Sequence, residues 1–142
     1  MDLVALSGRI LFSLLFIGSA FGGHFGATDA MAGYGESRGL KGARALVLLS
    51  GAQLAAGGLM VLLGIWVDLG ALLIALFTLA AAFLIHHFWT DQDPMTRQME
   101  MTQFMKDIAL TGGALILFVL YSVFGDELGY QIVDPLFSLS LG

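Results

Sequence analysis

The sequence predicts an all-α protein: a transmembrane four-helix bundle, antiparallel, with two long loops on one side and an interfacial C-terminal tail. Three observations carry that prediction. The 142-residue chain is 58% hydrophobic with a mean hydropathy of +0.87. Only 12% of its residues are charged, whereas a soluble domain carries about 25%. Its apolar residues also fall into four runs, each within the range of lengths that crosses a hydrocarbon core, about 20 residues. Residues 1–142 therefore read as a single membrane domain.

The first run spans residues 3–22 and is interrupted only by Ser7, Arg9, Ser13 and Ser19. It begins at Asp2 instead of a basic segment and has no small-x-small cleavage pattern behind it, so it reads as a span and not as a cleaved signal. The second run covers residues 45–66 and the third 69–88. Only Val67 and Asp68 separate them, which makes these two helices antiparallel neighbours. The fourth run, residues 108–124, is the shortest and suits a helix near the membrane normal. Residues 23–44 and 89–107 are expected as the two long loops. The tail, residues 125–142, is broken by Gly125, Gly129 and Pro135 and is expected along the interface.

Four spans place both termini and the short connection at one face and both long loops at the other. Arg38, Lys41, Arg44, Arg97 and Lys106 all lie on the long-loop side, and the remaining basic residue, Arg9, lies inside a span. The positive-inside rule then puts the long loops in the cytoplasm and both termini outside the cell membrane. Small residues recur where helices are expected to touch: Gly18 and Gly22, then Gly51, Ala55 and Gly58, then Ala71, Ala75, Thr78 and Ala82. Lipid supplies no hydrophobic force between helices, so such close approach is a main source of their association.

Composition also excludes. A net charge of −5 without a basic cluster speaks against nucleic acid as a partner. With no cysteine, thiolate catalysis, disulfide exchange, iron–sulfur clusters and cysteine zinc sites are ruled out. Nothing resembles a Ser/His/Asp nucleophile or a phosphate-cradling glycine loop.

Ionisable and aromatic residues gather at one face. His24 closes the first span, His86, His87 and Trp89 close the third, and Lys106 with Asp107 opens the fourth. Interfacial anchoring accounts for residues of these types in the headgroup region. The functional alternative is a quinone headgroup site made from His24, His86, His87, Trp89 and Lys106, in which one histidine hydrogen-bonds a quinone carbonyl. Adjacent histidines lie about 100° apart on a helix, so only one of His86 and His87 faces inward. Haem would need His24 with His86 or His87 facing one cavity, and no other feature supports it. His87 and Asp91 share a helical face by spacing, but no third metal ligand is evident, so no metal is expected.

Two polar residues lie within spans. Arg9 either faces the bundle interior or reaches back to the interface. Gln53 requires a partner across helices, and Asp68 in the short turn is expected as a solvated cap. A weak internal repeat pairs His24-Phe25 and the later Ser50-Gly51-Ala52 with His87-Phe88 and the later Thr111-Gly112-Gly113. Such a parallel duplication would draw the histidine-bearing ends of the first and third helices toward one axis.

Together, Gly8-Arg9-Ile10-Leu11-Phe12, Phe16-Ile17-Gly18-Ser19-Ala20, Gly51-Ala52-Gln53-Leu54 with Gly57-Gly58, His86-His87-Phe88-Trp89 and Gln103-Phe104-Met105-Lys106-Asp107 with Gly112-Gly113 make the chain similar to the DoxX family of small four-helix membrane proteins. Members often carry Glu where this chain has Gln53 and Lys where it has His24, so a glutamate partner for Arg9 does not carry over. The resemblance implies a role beside quinone-linked and oxidative-stress redox systems without implying catalysis. The expected function is an accessory subunit of a respiratory or redox membrane complex, partnered by lipid and by a larger complex or further copies of itself. The alternative is a quinone-reactive electron-transport protein using the histidine-rich face. A transporter is disfavoured because only Arg9 and Gln53 offer polarity within the spans.

Overall fold

The computed structural model describes residues 2–140. Among these described residues, four helices are long and apolar enough to cross a membrane: Asp2–Phe25, Ala43–Leu63, Val67–Thr90 and Pro94–Phe124. We label the regular elements α1 (Asp2–Gly18, continued by a π-helical stretch Ser19–Phe25), α2 (Thr28–Ser37), α3 (Ala43–Leu63), α4 (Val67–Leu84) and α5 (Pro94–Phe124). In space α1 packs on α3, α3 on α4 and α4 on α5, while α2 lies against the start of α3. Phe16, Leu54, Val61, Ile74 and Tyr121 form the heart of the core.

Neither segment expected as a long loop is a loop throughout. Within 23–44 the chain folds into α2. Within 89–107 it enters α5 at Pro94, fourteen residues before the expected start of the fourth span. The reason is a local start signal: Asp93 caps the helix, its carboxylate accepting from Thr96 N and Thr96 Oγ1 at 2.8 Å each, and Pro94 occupies the first helical position. A helix of 31 residues is about 46 Å long, against about 30 Å of hydrocarbon, so its first turns stand beyond the apolar layer. The third helix in turn stops early, at Leu84, with a short 3-10 turn at Phe88–Thr90. His87 and Asp91 therefore share no helical face.

Close helix contacts use only part of the expected small-residue set. At α3–α4, a side chain on Gly57 would meet the Gly70 carbonyl at 2.9 Å, and one on Gly70 would meet Met60 Cβ at 2.8 Å. Gly58 similarly admits Ile17 of α1. A side-chain atom added to Gly18 or Gly22, in contrast, would meet nothing within 4 Å. The halves of the suggested repeat also differ, since α2 breaks the first connection whereas the second runs straight into α5.

The tail does not merely skirt the interface. It folds over the end of the bundle where α3 gives way to α4, pairing Ile132 N and Val133 N with the Gly64 carbonyl at 2.9 and 3.1 Å and Leu139 N with Ser122 O at 2.9 Å.

Candidate functional site

A cavity of about 500 Å³ lies where α2 crosses the flank of α3 and α4. Its walls are almost wholly apolar, including Met31, Leu46, Leu49, Leu76, Phe77 and Leu84. Leu49 and Leu76 are strongly exposed and belong to membrane-crossing helices, so the cavity opens sideways at hydrocarbon depth. Its polar lining comes from His24, Tyr34, Ser50, Gln53 and His86.

His24 sits in the π-helical end of the first span and is 3% exposed. That wider turn carries Gly22 and Gly23 and lays the Cβ of His24 against α3, where Gly51 has no side chain to obstruct it. Its Nδ1 donates to Ser19 O at 3.1 Å, and its ring meets Phe77 edge-on at 5.6 Å. Gln53 finds the cross-helix partner that its burial requires, Nε2 donating to Leu73 O at 2.8 Å.

His86 follows the end of α4 and is held by α5. Its Nδ1 donates to Glu100 Oε2 at 2.8 Å, and its Nε2 is 3.7 Å from Asp107 Oδ2. The other Glu100 oxygen, Oε1, accepts from the Tyr34 hydroxyl of α2. One buried carboxylate thus bridges two cavity-lining groups from different elements. Tyr34 has its phenol pushed well above its ordinary value, first by burial and then by the hydrogen bond and charge of Glu100.

His87 points elsewhere. Its Nε2 donates to Arg38 O at 3.2 Å, leaving Nδ1 to accept from Arg38 Nη2 at 3.2 Å or Thr90 Oγ1 at 2.8 Å. Arg38 also donates to Ile85 O and forms a two-pronged pair with Asp91, 2.7 Å at the shorter contact, with side chains 9% and 12% exposed. The Arg38 hydrogen bond holds Asp91 below the usual carboxylate range, and the same bond raises the guanidinium. This clamp fastens the end of α2 beside the cavity. Trp89 is half-exposed in a cluster with Phe83, Phe88 and Phe104, and Lys106 is half-exposed, donating to Gln103 Oε1 at 2.6 Å. Of the five residues expected at a headgroup site, His24 and His86 meet at the cavity; His87, Trp89 and Lys106 lie off it.

The opposite end holds two further buried charged groups, Arg9 and Asp68. Arg9 faces inward at 1% exposure, donating to Val61 O, Leu62 O and Tyr130 O at 2.9, 3.1 and 2.9 Å, with its guanidinium 5.9 Å from the Tyr121 ring centre. Val61 and Leu62 belong to the last turn of α3, whose free carbonyls carry the negative end of the helix dipole and so take the place of a carboxylate partner. Asp68 is no solvated cap. It is fully buried, and its carboxylate accepts from the backbone N–H groups of Leu69, Leu136 and Phe137. Arg9 and Asp68 together hold the tail down.

Tyr34, Glu100 and Asp91 were not expected at the site. A signal existed for Glu100: with Asp107, Thr111, Ala114 and Tyr121 it makes spacings of seven, four, three and seven, one helical stripe, visible once α5 is extended back to Pro94. No three metal-ligating side chains converge among the described residues. The arrangement can hold an apolar molecule entering from the bilayer and hydrogen-bond its polar atoms at the inner wall.

The sequence model of the DoxX family matches residues 4–87, which takes in α1 to α4 and His86 but stops short of Glu100 and Asp107. No curated protein and no solved structure matches the chain.

Proposed function

The chain belongs to the DoxX family and is a multi-pass membrane protein, and from that premise we propose that it binds a ring-bearing, membrane-dissolved ligand of the quinone class in the lateral cavity, as a component of a respiratory or redox membrane complex. The observation that carries this reading is that His24 and His86, from separate elements, line one largely apolar cavity. Its volume of about 500 Å³ suits a substituted ring, since ligand pockets run from about 300 to 1,000 Å³. A mouth at hydrocarbon depth spares such a ligand any passage through water.

The test is chemical. The protein, taken from its own membranes into lipid nanodiscs, is extracted and its quinone counted per chain. Near-stoichiometric quinone is expected, lost when Ala81→Phe fills the cavity; a quinone-free wild type overturns the proposal.

A non-catalytic contact role is favoured by a separate observation. Gly8, Gly18 and Gly22 on α1 have open space around them, and small residues on a lipid-facing helix let another helix approach closely. Gly18→Leu is then expected to release a co-purifying subunit or second copy while leaving bound quinone unchanged. In this reading the end bearing α2 faces the cytoplasm, as Arg38, Lys41, Arg44, Arg97 and Lys106 favour. An impermeant thiol reagent applied to intact cells is expected to leave a Glu36→Cys variant unmodified.

A further inference from the structure

The polar atoms of the cavity share one property. His24 directs its Nδ1–H to Ser19 O, Tyr34 its hydroxyl hydrogen to Glu100, Ser50 its hydroxyl hydrogen to Val47 O, Gln53 an amide hydrogen to Leu73 O, and His86 its Nδ1–H to Glu100. All five therefore have a donor committed to the protein. What they have left is accepting capacity: the Nε2 of His24 opposite its committed Nδ1–H, the oxygens of Tyr34 and Ser50, and the amide oxygen of Gln53. The Nε2 of His86 is either a lone pair or an N–H turned toward Asp107, 3.7 Å away. Apart from the Nε2 of His86, the second amide hydrogen of Gln53 is the one donor left over among these side chains. The backbone N–H groups of the surrounding helical turns are used within α3 and α4.

We propose that this acceptor-lined cavity selects a hydroxyl-bearing ring, a hydroquinone ahead of the corresponding quinone. The inference rests on the reading of the cavity as a quinone-class site and adds the form that it prefers. It concerns binding alone. A quinone carbonyl can only accept, so against this lining its oxygens and the protein's lone pairs face one another unpaired. The two hydroxyls of a hydroquinone donate to both. Sites built to hydrogen-bond a hydroxyl reject the analogue that lacks it, because the buried polar groups are then left without partners.

The experiment titrates the nanodisc-held protein, stripped of native lipid, with a decyl-substituted benzoquinone and, anaerobically, with its hydroquinone, by calorimetry. The hydroquinone is expected to bind about tenfold more tightly. His24→Phe, which keeps a ring against Phe77 while removing the acceptor, is expected to narrow the preference, and the milder Ser50→Ala to narrow it by less. Equal affinities, or a tighter quinone, overturn the inference while leaving the cavity a quinone-class site. A preference that survives intact in both variants also overturns it. If neither form binds, the cavity reading falls and this inference with it.

Discussion

The side chain of His24 occupies the space that a methyl group on residue 51 would need: a Cβ built on Gly51 lies 2.7 Å from His24 Cβ and 3.0 Å from the Phe25 ring. The π-helical end of the first span and the start of α3 therefore fit only while position 51 is bare. Gly51→Ala is expected to destabilise the protein by about 1–3 kcal/mol, the usual cost of overfilling a packed contact. It would also push the imidazole off α3. Thermal unfolding in nanodiscs reads the first effect and weakened binding to the cavity the second; a Gly51→Ala variant unchanged in both would show that the contact yields freely.

Arg9 directs its hydrogen bonds at the far end to three backbone carbonyls. Arg9→Met removes donors from three of them, and with hydrogen bonds to charged groups contributing about 1.5–3 kcal/mol each before relaxation, a loss of several kcal/mol is expected. Arg9→Lys is expected to recover only part of it, because an ammonium lacks the planar fork that reaches Val61, Leu62 and Tyr130 together. Stability against added detergent checks the ranking wild type, then Lys, then Met.

Asp68 ties the tail to the α3–α4 turn by accepting from Leu136 N and Phe137 N. Asp68→Ala leaves those donors without a partner and is expected to loosen residues 134–140 before it loosens the helices. Limited proteolysis in nanodiscs should cut the variant's tail faster than the wild type's while the helices stay intact. Equal cutting rates would place the tail's anchorage elsewhere.

Arg38 and Asp91 give a pH dependence of known sign. Asp91 is depressed in the folded protein, chiefly by the Arg38 hydrogen bond. Its contribution is thus fully present above the unfolded carboxylate value of about 3.9 and is lost as pH falls through the lower folded value. The end of α2 should come away from the 87–91 segment in acid, changing Trp89 fluorescence. Arg38→Gln removes the cause of the depression, so its fluorescence should change at a higher pH, nearer that ordinary value; an identical acid profile would sink the assignment.

The fold was legible because hydropathy alone marks four spans, and the two-residue connection at Val67-Asp68 fixes the α3–α4 pairing. What escaped has definite physical causes. The polar start of α5 carries no hydropathy signal, so the Asp93-Pro94 cap was hidden behind a segment expected as a loop, and Glu100 with it. Tyr34 is an ordinary residue of a weakly apolar short helix, and only tertiary contact with α5 gives it a role. Asp68 looked solvated because nothing local shows that residues 136–137 return to it. That His24 shares a face with His86 and His87 was legible, since both spans end there, but which of the adjacent pair turns inward was not. That His87 turns away depends on Arg38, which lies nearly fifty residues earlier in the chain.

Tyr34 supplies the last test because its hydroxyl lies between the cavity and Glu100. Burial, then the Glu100 bond and charge, hold the phenol protonated well beyond its ordinary range. An unfolded tyrosine ionises near pH 10, so the folded state keeps a proton that the unfolded state loses, and stability must fall as pH rises above about 10. Phenolate absorbance should carry a late component from Tyr34 that appears only as the protein unfolds. Tyr34→Phe is expected to remove that late component and to flatten the alkaline loss of stability, while leaving Glu100 with His86 as its remaining hydrogen-bond partner. If the late component persists in the variant, the Tyr34–Glu100 bond is not what holds that proton, and the acceptor character assigned to the Tyr34 oxygen in the cavity loses its basis.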